Sequence, residues 1–225
     1  MITVHYIGDS TVQRNNIHTY PQTGMGQTLE LYLREDVRVV SYAKNGRSTK
    51  SFLDEGRFAP VKAAMQPGDF LFVQFGHNDE KDDPLRHTDA FGSFQDNLRL
   101  FIASAREKGA KTVLLTPIAR RQFDGFGKFL PGSHGDYPEA VRQVGKEESV
   151  PVIDLTAATE AFLECLGDEP SKPLFVWPKD NTHLKYEGAV KFCGFLAQAL
   201  EELGGSYAAL LAQPESADSQ AKNGL

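Results

Sequence analysis

A serine near one end of the chain and a carboxylate–histidine pair near the other could together carry out nucleophilic catalysis. Ser10 follows a glycine and an aspartate directly after a short apolar run, and Asp180 and His183 lie three residues apart just ahead of the last amphipathic stretch. On a turn, that spacing lets the carboxylate reach the imidazole Nδ1–H, which leaves Nε2 free as a general base. Alternatively, Ser10 is a helix N-cap and the Asp180–His183 pair lies in a solvated surface turn.

Two other residues could stabilise a developing oxyanion. Asn78 stands in a Gly-His-Asn-Asp sequence after the third apolar run, and its side-chain amide is a suitable donor. Gly46 follows the second apolar run, where the absence of a side chain would let its N–H approach a substrate oxygen closely. Gly-x-Asn-Asp is also a good turn sequence, and many loop glycines serve only to allow a positive φ.

A metal site is the main chemical alternative. Asp180 and His183 with His77 and Asp79 would form a mixed nitrogen and oxygen ligand set, but no cysteine and no repeated histidine spacing supports it. The sequence also lacks His-Glu-x-x-His, a P-loop, a dinucleotide fingerprint and the Gly-x-Ser-x-Gly elbow of α/β-hydrolases. We therefore expect no metal and no organic cofactor.

Short apolar runs alternate with longer amphipathic stretches along most of the chain. The runs, rich in β-branched and aromatic residues, predict strands at 2–7, 37–42, 70–75, 112–115 and 151–155. The amphipathic stretches predict helices at 27–34, 58–64, 89–108, 137–148, 156–166 and 186–203. This alternation predicts an α/β fold, a three-layer α/β/α sandwich around a five-stranded, mainly parallel sheet.

The residues that could carry out chemistry follow these predicted strands. Ser10, Gly46 and Asn78 come after the first, second and third strand, and Arg120 and Arg121 come after the fourth. Because loops at the carboxyl ends of parallel strands build the site in such folds, we expect these groups to meet at one edge of the sheet.

Composition limits the remaining possibilities. The 225 residues suit one domain, and the net charge of −6 with scattered basic residues gives no footprint for nucleic acid or an anionic membrane. No apolar stretch reaches the ~18 residues of a membrane span, and the N-terminus has no leader signal, which predicts a cytoplasmic protein.

We expect the domain to cover 1–204, with 205–225 as a frayed or disordered tail. Cys165 and Cys193 are interpreted as buried thiols.

The order of these motifs resembles that of the SGNH (GDSL-like) hydrolases over residues 7–203, and more closely the rhamnogalacturonan acetylesterase branch of that superfamily. The segments that carry the resemblance are Gly8-Asp9-Ser10-Thr11, Asn45-Gly46-Arg47-Ser48-Thr49, Gln74-Phe75-Gly76-His77-Asn78-Asp79, Thr116-Pro117-Ile118-Ala119-Arg120-Arg121, His134-Gly135-Asp136-Tyr137-Pro138 and Asp180-Asn181-Thr182-His183-Leu184.

The resemblance implies a flavodoxin-like fold and a serine esterase that needs no cofactor. It implies Ser10 as the nucleophile, His183 as the base and Asp180 as the residue that orients His183. It also implies an oxyanion hole made of the Ser10 and Gly46 backbone N–H groups and the Asn78 side chain. The expected reaction is removal of acetyl groups from acetylated pectic oligosaccharides through an acetyl-serine intermediate.

Galacturonate carboxylates in such a substrate would require nearby cations. Arg47, Arg120 and Arg121 are the predicted carboxylate ligands, and His77 and His134 are further predicted substrate contacts. The arginines could instead form surface ion pairs, or one could be buried against an aspartate. Two other functions remain open, an esterase for another acylated sugar or small ester, and a non-catalytic carbohydrate-binding protein on the same fold. The oligomeric state is left open.

Overall fold

A five-stranded parallel sheet runs through the centre of the computed structural model, which describes residues 1–212. Its strands are β1 (Ile2–Gly8), β2 (Val37–Ser41), β3 (Phe70–Gln74), β4 (Lys111–Leu115) and β5 (Val152–Ile153). The strands lie in the order β2-β1-β3-β4-β5, and every neighbouring pair is parallel. This is the flavodoxin-like strand order. The predicted five-stranded sheet is confirmed.

Helices cover both faces of the sheet. They are α1 (Met25–Thr28), α2 (Thr49–Asp54), α3 (Phe58–Ala64), α4 (Gln95–Glu107), α5 (Tyr137–Glu147), α6 (Leu155–Leu166), α7 (Asp168–Ser171), α8 (Tyr186–Leu203) and α9 (Gly205–Ala208). Short 3₁₀ segments at Ile17–Thr19, Leu29–Tyr32 and Lys172–Leu174 and a π-helical turn at Ala90–Phe94 complete the list. The predicted three-layer α/β/α sandwich is confirmed.

The central strand β3 shows why both layers form. Phe70 and Phe72 pack into the core beneath α1, α6 and α8, whereas Leu71 and Val73 pack into the core beneath α2 to α5. Alternate side chains of a strand point to opposite faces, so a strand covered on both sides is apolar throughout. Burial of all five residues of β3 therefore explains the apolar run at 70–73; the fifth residue, Gln74, is also buried and accepts a hydrogen bond from the Tyr6 hydroxyl.

Helix α2 was not predicted, and its sequence explains why. Ser48 accepts a hydrogen bond from the Ser51 backbone N–H, and the Ser51 hydroxyl accepts one from the Ser48 N–H, which forms a capping box. The helix is only six residues long. It is too short to show a clear apolar period, so the segment resembles a loop in sequence.

The first residues of the predicted tail, 205–212, are part of the packed domain. Residues 205–208 form α9, and Leu210 is fully buried. The Arg34 N–H donates to the Leu210 carbonyl oxygen at 3.0 Å, and the Ala212 N–H donates to Tyr32. The expected boundary at 204 is therefore too early, because 205–212 pack on the domain; the rest of the predicted tail, 213–225, lies outside the described residues.

The two cysteines differ from each other. Both are free thiols; Cys193 is buried, as predicted, whereas Cys165 is exposed on the outer face of α6. Within residues 1–212, no helix has the length and apolar character to cross a bilayer. The cytoplasmic location stays a prediction.

The carboxyl ends of β1 and β3 lie side by side. Gly8 pairs with Gln74, and a Cβ on Gly8 would lie 2.5 Å from the Gln74 carbonyl oxygen, so only glycine fits there. The chain moves outward in opposite directions from these two strands, to β2 on one side and β4 on the other. Such a switch point opens a crevice, and the loops after β1 and β3 both enter it.

Candidate active site

A cavity of about 360 Å³ lies in this crevice. The loops after β1, β2, β3 and β4 and the segment before α8 all contribute to its wall. Its lining consists of Ser10, Gln22, Asn45, Gly46, His77, Asn78, Lys81, Arg86, Arg120, Asp180, Thr182 and His183. The predicted nucleophile, base, orienting carboxylate and oxyanion residues therefore meet at one place.

Ser10 is presented to the cavity by a tight turn after β1. The buried Asp9 carboxylate accepts hydrogen bonds from the Thr11 backbone N–H at 2.9 Å and the Thr11 hydroxyl at 2.8 Å. The Asp9 carbonyl also accepts from the Val12 N–H at 3.2 Å. Among residues 1–212, nothing hydrogen-bonds to Ser10 Oγ. The hydroxyl is thus held at the wall by its backbone and is free to react.

Asp180 and His183 form a hydrogen-bonded pair across the same cavity. Asp180 Oδ2 lies 3.1 Å from His183 Nδ1, and Oδ1 accepts the backbone N–H groups of His183 at 2.7 Å and Thr182 at 2.9 Å. Burial opposes ionisation of Asp180, but these hydrogen bonds outweigh it and lower its pKa. The charged carboxylate therefore holds the proton of His183 on Nδ1, and Nε2 remains available as a base.

Three residues of the cavity wall each have an N–H donor that is not fully used. Within the described residues, the backbone N–H groups of Ser10 and Gly46 have no acceptor. Gly46 has φ +77°, a conformation that favours glycine. Asn78 Nδ2 donates one hydrogen to the Arg47 carbonyl at 3.1 Å, and Oδ1 accepts from Arg86 at 3.3 Å. These partners fix the Asn78 amide and leave its second hydrogen free.

A buried carboxyl supports the Asn78 loop from behind. Asp79 Oδ1 accepts from the Thr49 N–H at 2.9 Å, the Thr49 hydroxyl at 2.5 Å and the Thr88 hydroxyl at 3.1 Å. Burial raises the pKa of Asp79 to about 7, although these hydrogen bonds oppose the shift. The contacts join the start of α2 to the loop after β3, so they hold Gly46 and Asn78 in a fixed relation.

One side of the cavity carries positive charge. Arg86 donates to Asp83 at 2.7 Å as well as to Asn78. Arg120 is paired with Glu80 and donates to the Ser133 carbonyl at 2.8 Å. Lys81 is exposed and makes no ion pair with any described residue. Lys81 is thus the cation most available to a ligand.

The two histidines predicted as substrate contacts lie against each other. Their rings meet edge to face, with centroids 4.3 Å apart. His134 is buried, with Nδ1 3.0 Å from Glu80 Oε2 and Nε2 2.8 Å from the Ile118 carbonyl oxygen, and it does not line the cavity. His77 lines the cavity but is almost fully buried, and burial lowers its pKa well below the usual value. His134 therefore packs behind the wall that His77 helps to form, and the substrate contacts of both stay predictions.

Arg47 and Arg121 also lie outside the cavity lining. Arg121 is buried, pairs with Asp168, donates to Ser171 Oγ at 2.9 Å and packs between the Phe123 and Trp177 rings. Its Nε and one terminal nitrogen are occupied by these partners, and its side chain does not line the cavity; its contact with a substrate carboxylate stays a prediction.

Arg47 points away from the cavity for a different reason. It pairs with Glu55 at 3.0 Å and lines a neighbouring groove of about 280 Å³. Its backbone carbonyl accepts a hydrogen bond from Asn78, and its guanidinium donates to the Asn45 carbonyl oxygen at 3.0 Å, so Arg47 supports the wall without lining it. The prediction placed its side chain at the rim because Arg47 follows Gly46, the predicted oxyanion glycine.

Sequence analysis missed five residues of the wall. Gln22 Nε2 donates to the Ser10 carbonyl at 3.1 Å and to Asn45 Oδ1 at 3.3 Å, which links the loops after β1 and β2. Lys81, Arg86 and Thr182 complete the set. Two of the five had a signal, Thr182 between Asp180 and His183 and Asn45 directly before Gly46; the others lie in loops whose paths the sequence does not determine.

The ligand set considered for a metal does not converge. Within residues 1–212, no group of three or more histidine, cysteine, aspartate or glutamate side chains has a metal-binding arrangement. Asp180 contacts His183, whereas Asp79 contacts Thr49 and Thr88.

Comparison with known families gives one match over most of the chain. Residues 6–190 match the model of the GDSL-like Lipase/Acylhydrolase family. That range includes all the residues named above as catalytic or oxyanion candidates.

Individual relatives show which members of this family the chain is similar to. The chain is 41% identical to rhamnogalacturonan acetylesterase RhgT of Bacillus subtilis (strain 168), over 90% of this chain and 91% of that protein. It is 38% identical to the probable rhamnogalacturonan acetylesterase YesY of the same organism, over 89% and 93%. Among solved structures, protein YxiM of Bacillus subtilis superposes with a TM-score of 0.80 at 26% identity, over 90% of this chain and 57% of that longer one.

Proposed function

Because this chain belongs to the GDSL-like lipase/acylhydrolase family, we propose that it is a serine acetylesterase acting on acetylated rhamnogalacturonan-type oligosaccharides. The observation that carries the proposal is one cavity that holds a free serine hydroxyl, a carboxylate-oriented imidazole and three N–H donors. Acyl transfer needs a nucleophile, a base and a site for the oxyanion, and these groups supply all three.

Each residue has one role in the proposed reaction. Ser10 Oγ attacks the acetyl carbonyl carbon while His183 Nε2 takes its proton. The Ser10 and Gly46 N–H groups and the Asn78 amide bind the oxyanion of the tetrahedral intermediate. Asp180 keeps the His183 ring in the required tautomer and stabilises its protonated form.

The two halves of the reaction use the same groups in reverse. When the first intermediate collapses, the ester C–O bond breaks and the sugar oxygen leaves with the proton from His183. Ser10 then carries the acetyl group. A water molecule gives a proton to His183 and attacks the acetyl-serine; acetate leaves, and Ser10 regains its proton.

The substrate class rests on the relatives and on the charge of the wall. The two relatives above are named for acetylated rhamnogalacturonan, and they match this chain over about nine-tenths of their lengths. A protein with net charge −6 nevertheless places Lys81, Arg86 and Arg120 along one side of this cavity. Local positive charge in an acidic protein favours a substrate that carries carboxylates.

Acetate release from a panel of substrates tests the proposal. The purified chain should release acetate from acetylated rhamnogalacturonan oligosaccharides faster than from acetylated xylo-oligosaccharides. Ser10→Ala should lower kcat by several orders of magnitude on every substrate while its melting temperature stays near that of the wild type. A preference for xylo-oligosaccharides would overturn the substrate class, and near-normal turnover by Ser10→Ala would overturn the mechanism.

A further inference from the structure

A second cavity of about 360 Å³ adjoins the catalytic one. It is lined by Tyr20, Pro21, Thr23, Lys185, Tyr186 and Glu187.

The same two chain segments form walls of both cavities. Gln22 faces the catalytic cavity, whereas its neighbours Pro21 and Thr23 face the second one. Two residues after His183, the chain reaches Lys185 and the second cavity. The Thr23 N–H donates to the Leu184 carbonyl at 2.8 Å, so the two segments are directly joined between the cavities. The two cavities therefore lie on either side of the same paired segments, close enough for neighbouring units of one ligand to reach both.

Two aromatic rings stand at the second cavity with little cover. Tyr20 is 79% exposed and Tyr186 is 52% exposed. Single exposed apolar residues are common, but two large rings bordering one cavity form a surface that a ligand could cover. Since a pyranose ring has a face of C–H groups, stacking on tyrosine would remove apolar area of both partners from water.

The polar groups of the second cavity are also free. Within residues 1–212, the Tyr20 and Tyr186 hydroxyls, the Lys185 ammonium and the Glu187 carboxylate make no side-chain hydrogen bond or ion pair. One cation and one anion line the second cavity, so its charged side chains carry no net charge. Such a pair can donate to and accept from sugar hydroxyls, and it gives no preference for a carboxylate.

We propose that the second cavity is a subsite for a neutral sugar next to the acetylated residue. The proposal rests on the proposed function above. The acetylated acidic sugar lies against Lys81, Arg86 and Arg120, and the neighbouring neutral sugar stacks on Tyr20 and Tyr186 while Lys185 and Glu187 bind its hydroxyls. An oligosaccharide that alternates acidic and neutral sugars is thereby matched by one cationic cavity and one uncharged aromatic cavity.

Tyr20→Ala and Tyr186→Ala, alone and together, test the subsite. On acetylated rhamnogalacturonan oligosaccharides, each single variant should lose roughly two- to tenfold in kcat/KM, mainly through a higher KM, because an aromatic contact contributes about that much. On a small aryl acetate, which cannot reach the second cavity, kcat/KM should stay unchanged. Tyr186→Phe should keep most of the activity, since it keeps the ring.

Phe126→Ala is the matched control, because Phe126 is 99% exposed and lines neither cavity. It should behave as the wild type on both substrates. If the tyrosine variants match the wild type on oligosaccharides that the wild type deacetylates, the subsite is overturned and the esterase function stands. Equal losses on both substrates would assign the tyrosines a structural role and also overturn the subsite. A wild type that releases no acetate from any oligosaccharide would overturn the proposed function itself.

Discussion

The catalytic cavity has two walls that use polar groups in different ways. The acyl wall consists of Ser10, Gly46, Asn78 and His183, and each of these residues keeps a hydroxyl, a hydrogen or a ring nitrogen free for a ligand. The cationic wall consists of Lys81, Arg86 and Arg120, and both of its arginines are already paired with carboxylates.

This difference separates reactivity from recognition. On the acyl wall, donors held by buried neighbours meet the charge that develops in the transition state, where fixed dipoles have their largest effect. On the cationic wall, a ligand must compete with Asp83, Glu80 and water, so each contact contributes little. Changes to the acyl wall should therefore be large for every substrate, and changes to the cationic wall small and dependent on substrate charge.

Asn78→Ala should give the largest effect short of removing the nucleophile. Because we propose that the free amide hydrogen binds the oxyanion, we expect kcat to fall by roughly 10²–10³ with little change in KM. The loss should be the same for an aryl acetate and for an acetylated oligosaccharide, since both form the same oxyanion. Steady-state kinetics on the two substrates measures this.

A different outcome would make Asn78 a turn residue. In that case the melting temperature of Asn78→Ala would fall while kcat per folded molecule stayed near the wild-type value. Asn78 would then no longer support the difference between the two walls, for which it gives the largest expected effect.

Asp79→Asn should change how stability responds to pH, because the acyl wall rests on a buried carboxyl. The folded-state pKa of Asp79 is raised to about 7, above the usual aspartate value. The folded state therefore holds this proton more tightly, and wild-type stability should fall as pH rises from about 4 to 7. The asparagine variant lacks this loss, so its melting temperature relative to wild type should rise across that range.

The difference in the free energy of unfolding between Asp79→Asn and the wild type should increase by up to about 1.4 kcal/mol per pH unit between about pH 4 and 7, or a few degrees in melting temperature. Above about pH 7 this difference should stay constant. Asp82→Asn is the control, because Asp82 is exposed and makes no ion pair with a described residue. Parallel pH curves for Asp79→Asn and wild type would show that Asp79 is ionised in the folded protein and would remove this support from the acyl wall.

Lys81→Gln should give the smallest effect and the one most dependent on substrate. An exposed ion pair contributes at most about 1 kcal/mol, so kcat/KM on acidic acetylated oligosaccharides should fall roughly two- to fivefold. The difference should shrink at high salt, and an aryl acetate should be hydrolysed at the wild-type rate.

Arg121→Gln provides the contrast to Lys81→Gln. Since the buried guanidinium is paired with Asp168, its loss should lower the free energy of unfolding by about 1–3 kcal/mol. The charge preference, which is the ratio of kcat/KM on acidic oligosaccharides to kcat/KM on an aryl acetate, should stay unchanged. If Arg121→Gln changed the charge preference and Lys81→Gln did not, the assignment of the cationic wall would be wrong.

The sequence was sufficient to predict the sheet and to predict that the residues of the acyl wall lie close together. Strands such as β3 begin with a run of buried apolar residues, and parallel strands bring their carboxyl-end loops together whatever those loops contain. Asp180 and His183 are three residues apart, so their pairing depends on one turn and not on distant packing.

The cationic wall could not be predicted in the same way. Arg120 and Arg121 are adjacent in sequence, yet one lines the cavity and the other is buried against Asp168 and two aromatic rings. Which neighbour faces the ligand depends on the path of the loop and on partners about fifty residues away. Lys81 and Arg86 lie in a loop without a periodic pattern, so their contribution emerged only from the three-dimensional structure.

The closing segment of the described chain bears on how this fold diversifies. Tyr207, Leu210 and Leu211 pack beside Phe70 and Leu33, at the amino ends of the strands and opposite the catalytic cavity. The strands are thus sealed at one end and carry their variable loops at the other. Substitutions that change substrate specificity can accumulate in those loops without disturbing the packing at the amino ends of the strands. A new specificity can therefore evolve on this scaffold with little loss of stability.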